Sequence, residues 1–270
     1  MAAPLHPRNV GFRWRPAADP PRRLTPAQRA AWEERGSFLL EDAFDAEEVR
    51  RALREIDPLE AEAAAFLRSR PEGKLFIAEE GNITFVPHLV LRSRWLRSFC
   101  SHLVFQALAF DLVGPDVRLY WDQAVYKKTQ RPRSFPWHQD NGYRYVEPQQ
   151  YLTCWLALSD ATPENGCPWV VPGMHRRGTL RHWMTGQGWC CLEDPPGAVP
   201  VPARAGSIVV FSSLTPHATG PNRTGSVRKA YIVQFAPAGA VAHDPNRPPE
   251  PQDDPQRQFW ILRGGEGVAS

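Results

Sequence analysis

The sequence predicts a mainly β fold, in which a double-stranded jelly roll of the cupin-like kind is flanked by helices from the N-terminal part. Residues 24–112 carry two helix-start signals and apolar residues at helical spacing. From residue 115 onward, apolar residues alternate with polar ones or form short runs separated by turns rich in Pro, Gly and Asn. A jelly roll is an architecture in which such strands enclose a ligand site.

The length of the chain, 270 residues, is enough for one large β domain with a sizeable core. We expect a single domain at residues 24–240, with the helical front at 24–112 and the jelly-roll core at 115–240. Residues 1–23 are rich in Pro and Arg and are expected to form an extended or partly disordered arm. Residues 241–270 form a predicted C-terminal tail, and the sequence leaves open whether it docks onto the body.

Two capping boxes mark the starts of the first two predicted helices. Thr25 and Gln28 form one box, with Pro at the first helical position, and this helix is expected to end near Gly36. Asp45 and Glu48 form the second box, ahead of apolar residues that repeat at helical spacing. The chain therefore begins its ordered part with helices.

The second predicted helix is expected to stop near Asp57, because Pro58 follows. Residues 59–68 are expected to be helical again, and a broad apolar stripe predicts one further helix over residues 92–112. The long connection at 174–200 has few strand signals and is expected to cover the site. The predicted strands lie at residues 37–40, 117–125, 151–158, 168–171, 207–213 and 229–236.

Composition excludes several classes of partner. The net charge of +3 is too small to indicate nucleic acid binding. The start of the chain lacks the apolar region of a signal peptide, and no apolar stretch is long enough for a membrane helix. Five cysteines without metal-knuckle spacing suit a reducing compartment. We expect a soluble, cytoplasmic protein that acts on a small molecule, and the oligomeric state stays open.

The most informative stretch is Trp-His-Gln-Asp-Asn-Gly-Tyr at residues 137–143. His138 and Asp140 are two residues apart, so on an extended segment both side chains leave the same side of the backbone and can share one metal ion. A second His, for which His217 is the candidate, would complete the face of two imidazoles and one carboxylate that leaves positions open on iron. Arg228 offers a guanidinium that can hold a carboxylate through two hydrogen bonds.

The two histidines and the arginine also have an ordinary structural interpretation. His138 in a surface loop, His217 in a turn and Arg228 as a solvated charge at a strand end are the alternatives. Two other functions also stay open, namely a zinc-dependent isomerase or hydrolase that uses the same ligands and a jelly-roll binding protein without catalytic metal. The metal site is favoured, because residues that adjoin strands and turns can meet at one mouth of a barrel.

Several motifs follow one another in the second half of the chain, namely WHQDNGY at 137–143, WLAL at 155–158, DATPENGC at 160–167, VPGMH at 171–175, and His217 with Arg228. Together they resemble the phytanoyl-CoA dioxygenase family, whose members are non-haem Fe(II)- and 2-oxoglutarate-dependent oxygenases with a jelly-roll core. The resemblance extends over residues 25–240 and is most specific over 117–236. It implies Fe(II), 2-oxoglutarate and O2 as cofactor and cosubstrates.

The resemblance also implies a role for individual residues. His138, Asp140 and His217 correspond to the iron ligands. Arg228 would hold the distal carboxylate of 2-oxoglutarate, with the Thr219 hydroxyl as a further donor. Gln123 and Trp155 occupy positions that line the cosubstrate pocket in such enzymes, although an edge amide and a core Trp are equally good readings.

The implied reaction is the hydroxylation, or another oxidation, of an unactivated carbon in a small hydrophobic metabolite, with release of succinate and CO2. A carboxylate at Asp140 argues against halogenation, since related halogenases have a small residue there. Trp137, Tyr143 and Tyr145 are predicted to bind the substrate, although aromatic residues at such positions are often core. Specialised metabolism is the preferred setting, and an acyl-CoA substrate is the alternative.

Overall fold

The computed structural model describes residues 3–268. Residues 1, 2, 269 and 270, at the ends of the predicted arm and tail, lie outside the described residues. The α-helices are α1 (Pro26–Arg35), α2 (Ala46–Arg68), α3 (Arg94–Phe99) and α4 (Leu103–Leu112). Short 3-10 turns lie at Pro71–Gly73, Leu89–Leu91, Asp140–Gly142 and Met174–Arg177.

The described residues form these strands: β1 (Ser37–Leu40), β2 (Lys74–Leu75), β3 (Ala78–Glu79), β4 (Ile83–Pro87), β5 (Val117–Lys127), β6 (Phe135–His138), β7 (Tyr145–Glu147), β8 (Leu152–Ala157), β9 (Pro168–Val170), β10 (Trp183–Thr185), β11 (Gly188–Cys190), β12 (Val199–Pro200), β13 (Ile208–Ser212), β14 (His217–Thr219), β15 (Arg228–Pro237), β16 (Val241–Asp244), β17 (Arg247–Pro251), β18 (Trp260–Arg263) and β19 (Glu266–Gly267). The six predicted strands correspond to β1, β5, β8, β9, β13 and β15.

Two antiparallel sheets face each other across the site. The larger has ten strands, with the order β1-β13-β8-β15-β5-β4-β3-β2 and with β18 and β19 attached beside β5. The smaller has the order β12-β9-β14-β6. A cluster of buried side chains from both sheets, including Val125, Trp155 and Ile232 on one and Phe135 on the other, fills the space between them. The predicted jelly-roll core with flanking helices is confirmed.

The helices cover the opposite face of the large sheet. Trp32, Ile56 and Phe105 belong to one cluster with Leu156 and Tyr231 from the sheet. Side chains of a strand alternate between its two faces. The strand residues next in sequence to the members of this cluster therefore point toward the small sheet. The helical layer therefore supports the sheet that carries half of the site.

The start of α2 is as predicted, but its end is not. The Asp45 capping box is present, whereas the helix continues through Pro58 to Arg68 instead of stopping near Asp57. Contacts on both sides of the proline hold the continuous helix to the sheet, since Lys229 Nζ donates to the Asp57 carboxylate and Thr84 Oγ1 donates to Glu60. These tertiary contacts outweigh the local preference for a break.

The helix predicted over residues 92–112 is two helices. The chain leaves the helical path after Phe99, and His102 caps the start of α4 by accepting a hydrogen bond from Val104 N at 3.2 Å. The apolar stripe did not reveal this break, because both helices bury the same face of the chain. The Thr25 capping box and the Gly36 end of α1 are as predicted.

The N-terminal arm is extended and packed against the body. His6 N donates to Thr179 O at 2.9 Å, Trp14 Nε1 to Glu33 at 2.7 Å, and Arg22 N to the Asp111 carboxylate at 2.6 Å. These contacts are spread along the arm, so it crosses the surface of the body as a strap.

The tail is built into the sheets of the predicted core. Ala242 in β16 lies opposite Val146 in β7, and Trp260 in β18 lies opposite Arg118 in β5. The docking that the sequence left open is therefore by strand pairing. Within residues 3–268, no helix combines the length and the apolar character needed to cross a bilayer.

Candidate metal and cosubstrate site

Three predicted ligands meet at one end of the small sheet. His138 ends β6 and His217 begins β14, and the two residues lie opposite each other in the antiparallel pair. Asp140 begins the 3-10 turn directly after β6. Its Oδ1 lies 3.9 Å from His138 Nε2 and 3.6 Å from His217 Nε2. The potential ligand atoms of all three residues lie within 4.8 Å of one another, close enough to surround one ion.

The hydrogen bonds of the two imidazoles orient them for metal binding. His138 Nδ1 lies 2.9 Å from Pro136 O, and His217 Nδ1 lies 3.0 Å from Thr215 O. A carbonyl only accepts, so each Nδ1 carries the hydrogen and each Nε2 presents its lone pair toward Asp140. Burial is the main cause that lowers the pKa of His138, and the neighbouring His217 lowers it further. The donor set fits a first-row divalent metal.

The second oxygen of Asp140 is held by residues that the sequence interpretation missed. Thr153 Oγ1 donates to Asp140 Oδ2 at 2.6 Å, and Gln234 Nε2 donates to Thr153 Oγ1 at 3.2 Å. This leaves Oδ1 facing the imidazoles. Strand alternation offered a signal for this role, because Thr153 is two residues from Trp155 and shares its face.

Arg228 is buried, and none of the described residues, 3–268, gives it an anionic partner. Its side chain lies over the Trp155 ring, 5.0 Å from the centroid, and the residue is 1% exposed. Nη1 donates to Val125 O at 3.4 Å, whereas Nε and Nη2 have no hydrogen-bond partner within residues 3–268. Burial lowers the pKa of Arg228 to about 10. Nε–H and Nη2–H form the side-on edge of the guanidinium that binds a carboxylate through two parallel hydrogen bonds.

Lys127 lies beside Arg228 and is a third residue, after Thr153 and Gln234, that the sequence interpretation missed. The two residues are opposite each other on β5 and β15, and Lys127 is also 1% exposed. Its Nζ donates to Thr219 Oγ1 at 2.8 Å. Burial and the charge of Arg228 lower the pKa of Lys127 well below its ordinary value. Alternation along β5 from Val125 would have placed Lys127 on the inner face of the sheet.

Gln123 and Trp155 lie in one row across the large sheet. Gln123 pairs with Ile232, which pairs with Trp155 on the other side. Trp155 is buried under the Arg228 guanidinium, and Gln123 is half-buried. Both side chains therefore face the space between the sheets. Trp155 lies next to the Arg228 guanidinium, whereas Gln123 lies four residues along β5 from Lys127, the residue opposite Arg228.

A sequence model of the family described as "Phytanoyl-CoA dioxygenase (PhyH)" matches residues 32–230. The match covers more than half of the 270 residues. This chain belongs to the phytanoyl-CoA dioxygenase family. The family predicted from the motifs is thereby confirmed.

Curated relatives in this family align over different lengths. "Phytanoyl-CoA dioxygenase" of Arabidopsis thaliana is 32% identical over 102 residues, which is 36% of each chain. "Phytanoyl-CoA dioxygenase domain-containing protein 1" of Mus musculus is 35% identical over 119 residues, covering 40% of this chain and 41% of the relative. These alignments therefore span less than half of either relative. A "probable alpha-ketoglutarate-dependent hypophosphite dioxygenase" of Stutzerimonas stutzeri is 24% identical over 79% of both chains.

Solved structures share the fold. The epimerase SnoN, described in complex with Fe3+, alpha ketoglutarate and nogalamycin RO, has a TM-score of 0.67 at 24% identity, covering 87% of this chain and 97% of its own. EctD from S. alaskensis has a TM-score of 0.68 at 22% identity, covering 92% and 89%. At sequence identities below 25%, the similarity to these two structures shows a shared fold alone.

The aromatic residues predicted to bind substrate in this member of the phytanoyl-CoA dioxygenase family lie in different surroundings. The Tyr143 ring stands edge-on to His138, with centroids 5.2 Å apart. Its hydroxyl lies beside Gly188 of the β10–β11 hairpin, where a Cβ would be only 3.1 Å from it. Trp137 is half-buried, and its carbonyl accepts from Cys191 N at 2.8 Å. Tyr143 therefore lies between the metal cluster and that hairpin, whereas for Trp137 it is the backbone that contacts the chain just after the hairpin.

Tyr145 is placed differently, and the prediction that it binds substrate is not supported. Its ring stacks on His6 of the N-terminal arm at 4.5 Å, and its hydroxyl donates to Arg8 O at 2.8 Å. The residue is 4% exposed. Tyr145 begins β7 after the 3-10 turn, and this turn redirects the chain from the cluster toward the arm.

Proposed function

We propose that this protein is an Fe(II)- and 2-oxoglutarate-dependent oxygenase that oxidises an unactivated carbon of a small hydrophobic metabolite in specialised metabolism. One observation carries the proposal. A cluster of two imidazoles and one carboxylate shares the space between the sheets with a buried guanidinium to which the described part of the chain supplies no anion. A buried cation without a partner is costly, so this arrangement favours a ligand that brings a carboxylate.

His138, Asp140 and His217 would hold the iron. When bound there, iron supplies the activation of O2 that is coupled to decarboxylation of 2-oxoglutarate to succinate and CO2. Pro136 O and Thr215 O fix the imidazole rings through Nδ1. Thr153 occupies Asp140 Oδ2, which favours binding of the metal through Oδ1 alone.

The distal carboxylate of 2-oxoglutarate would lie against Arg228. Nε–H and Nη2–H are both free to donate to it. The Thr219 hydroxyl already accepts from Lys127, so its own hydrogen is available to the same carboxylate. Trp155 packs against the guanidinium and would exclude water from this end of the site. Gln123 would line the pocket farther along the row that it shares with Trp155.

The substrate would approach on the side of Tyr143 and Trp137. Tyr143 presents an aromatic edge to His138, and the β10–β11 hairpin lies beside it, so these elements form an apolar cover. The nearby basic residues have acidic partners: Lys128 Nζ lies 2.6 Å from Glu60, and Arg133 lies 3.3 Å from Glu79. This pairing favours a hydrophobic metabolite over an acyl-CoA, whose phosphates need free cations.

The test is succinate formation from 2-oxoglutarate under air with Fe(II) and ascorbate, scored over a panel of metabolites. We expect Asp140→Ala to abolish turnover and Asp253→Ala, which changes an exposed carboxylate, to leave it unchanged. Equal turnover by Asp140→Ala and the unmodified protein would refute the ligand assignment. Activity that needs Zn(II), requires no 2-oxoglutarate and survives replacement of Arg228 would indicate a hydrolase or isomerase instead.

A further inference from the structure

A buried network of amide side chains surrounds the metal-ligand loop. Gln139 and Asn141, on either side of Asp140, are both 0% exposed. Asn141 Nδ2 donates to Thr179 Oγ1 at 2.7 Å, and Asn141 Oδ1 accepts from Val146 N at 2.9 Å. Both polar ends of the Asn141 amide are therefore used within the protein.

Gln139 is tied to the same part of the chain. Its Nε2 donates to Gly178 O at 3.0 Å and to Leu214 O at 2.6 Å, and its Oε1 accepts from Leu180 N at 2.6 Å. The segment 178–180 therefore contacts the residue before Asp140 through its backbone and the residue after it through Thr179. Asp140 therefore lies between two residues, Gln139 and Asn141, that are both hydrogen-bonded to the segment 178–180.

Thr179 is the centre of this network. Besides accepting from Asn141, its Oγ1 donates to Gln149 Oε1 at 2.8 Å, and its backbone N donates to the same oxygen at 2.9 Å. Its carbonyl accepts from Asn9 Nδ2 and from His6 N, each at 2.9 Å. One buried residue therefore joins the metal loop to the N-terminal arm.

The arm fills the remaining positions of the network. Asn9 Nδ2 also donates to Arg177 O at 2.9 Å, and Asn9 Oδ1 accepts from Gln149 Nε2 at 3.1 Å. A Cβ at Gly178 would lie 2.7 Å from the Asn9 amide, so a glycine is needed for this close approach. Without Asn9, the buried amide of Gln149 would lose a partner, and such losses propagate through buried polar networks.

We propose that Thr179 is a positioning residue for Asp140 and that the N-terminal arm, through Asn9, holds Thr179 in place, so that the arm sets the affinity of the metal site. This inference rests on the proposed metal site. The hydroxyl of Thr179 fixes Asn141, and Asn141 with Gln139 fixes the backbone from which the carboxylate projects. Partners outside the ligand set typically change metal affinity by about 10- to 100-fold.

The experiment compares Thr179→Val, which is nearly isosteric but lacks the hydroxyl, with Thr179→Ser, which keeps it. Anaerobic titration calorimetry with Fe(II) on the full chain gives the metal dissociation constant. We expect Thr179→Val to weaken binding about tenfold or more, and Thr179→Ser to restore it to within about twofold of the unmodified protein.

Two variants in the arm extend the test. Asn9→Ala should weaken Fe(II) binding by about three- to tenfold, whereas Val10→Ala, at a neighbouring residue that is 84% exposed, should leave it unchanged. Asn9→Ala decides the question if Thr179→Val does not fold. Unchanged Fe(II) affinity in the folded variants, even with a lower melting temperature, would overturn the positioning role. No Fe(II) binding by the unmodified protein would instead refute the proposed metal site.

Discussion

Replacing Arg228 with Met is expected to have opposite effects on stability and on cosubstrate binding. Burial lowers the pKa of the guanidinium from 12.5 to about 10. At about 1.4 kcal/mol per pKa unit, keeping this side chain charged costs the unliganded protein about 3 kcal/mol of folding free energy. Methionine has a similar length and no charge, so the substitution removes this cost. Loss of the contact with Trp155 destabilises the variant by about 1 kcal/mol and offsets part of the gain. We therefore expect metal-free Arg228→Met to be more stable by about 2 kcal/mol.

The same substitution removes two hydrogen bonds to the distal carboxylate. Hydrogen bonds that involve charged groups contribute about 1.5 to 3 kcal/mol each, so KM for 2-oxoglutarate should rise by at least about 100-fold. Arg228→Lys keeps the charge but not the geometry for two parallel hydrogen bonds, so its KM should lie between those of Arg228→Met and the unmodified protein. The assays are denaturant unfolding of the metal-free protein and succinate formation against 2-oxoglutarate concentration. A destabilised Arg228→Met with unchanged KM would show that the guanidinium is a structural group.

Three further predictions concern buried polar groups. Thr153→Val should weaken Fe(II) binding by about 10- to 100-fold in anaerobic calorimetry, and Thr153→Ser should restore it, because only the hydroxyl holds Asp140 Oδ2; equal affinities would exclude this role. Burial and the charge of Arg228 lower the pKa of Lys127 in the unliganded protein, and the carboxylates of bound 2-oxoglutarate should raise it again. Binding should therefore take up a proton over the pH range between the two pKa values, which calorimetry at several pH values in buffers of different ionisation enthalpy detects and which Lys127→Met should abolish. Burial raises the pKa of Asp122 to about 6, above its ordinary 3.8. The folded state therefore holds the extra proton, and stability should fall as the pH rises from about 4 to 6. Asp122→Asn should flatten that dependence and stabilise the protein at neutral pH by up to about 3 kcal/mol, as measured by urea unfolding at several pH values; an unaltered slope would contradict the assignment.

Short-range patterns were sufficient for much of the fold, and they indicated the candidate metal ligands. The capping boxes at Thr25 and Asp45 depend on hydrogen bonds within one helical turn, so the sequence specifies them directly. Alternation in β5 and β8 likewise reflects which face of a strand is buried. The spacing of His138 and Asp140 determined that both can reach one ion.

Contacts between distant parts of the chain explain the predictions that failed. Pro58 does not end α2, because Lys229 and Thr84 hold the helix on both sides of it. Tyr145 is covered by the N-terminal arm, although it lies close to the metal motif in the sequence. Neither outcome has a local signal, since in each case the deciding partner lies more than twenty residues away along the chain.

The sequence by itself determined the family, the jelly-roll class and the residue types that can bind a metal and a carboxylate, because motif spacing and strand alternation are local properties. Only the tertiary structure decided that His217 lies opposite His138, that Lys127 faces inward beside Arg228, and that the guanidinium keeps a free edge. Strand register sets the first two of these, and the burial of polar groups sets the third. Both depend on which distant strands pair, and that pairing is fixed only when the two sheets close around their shared core.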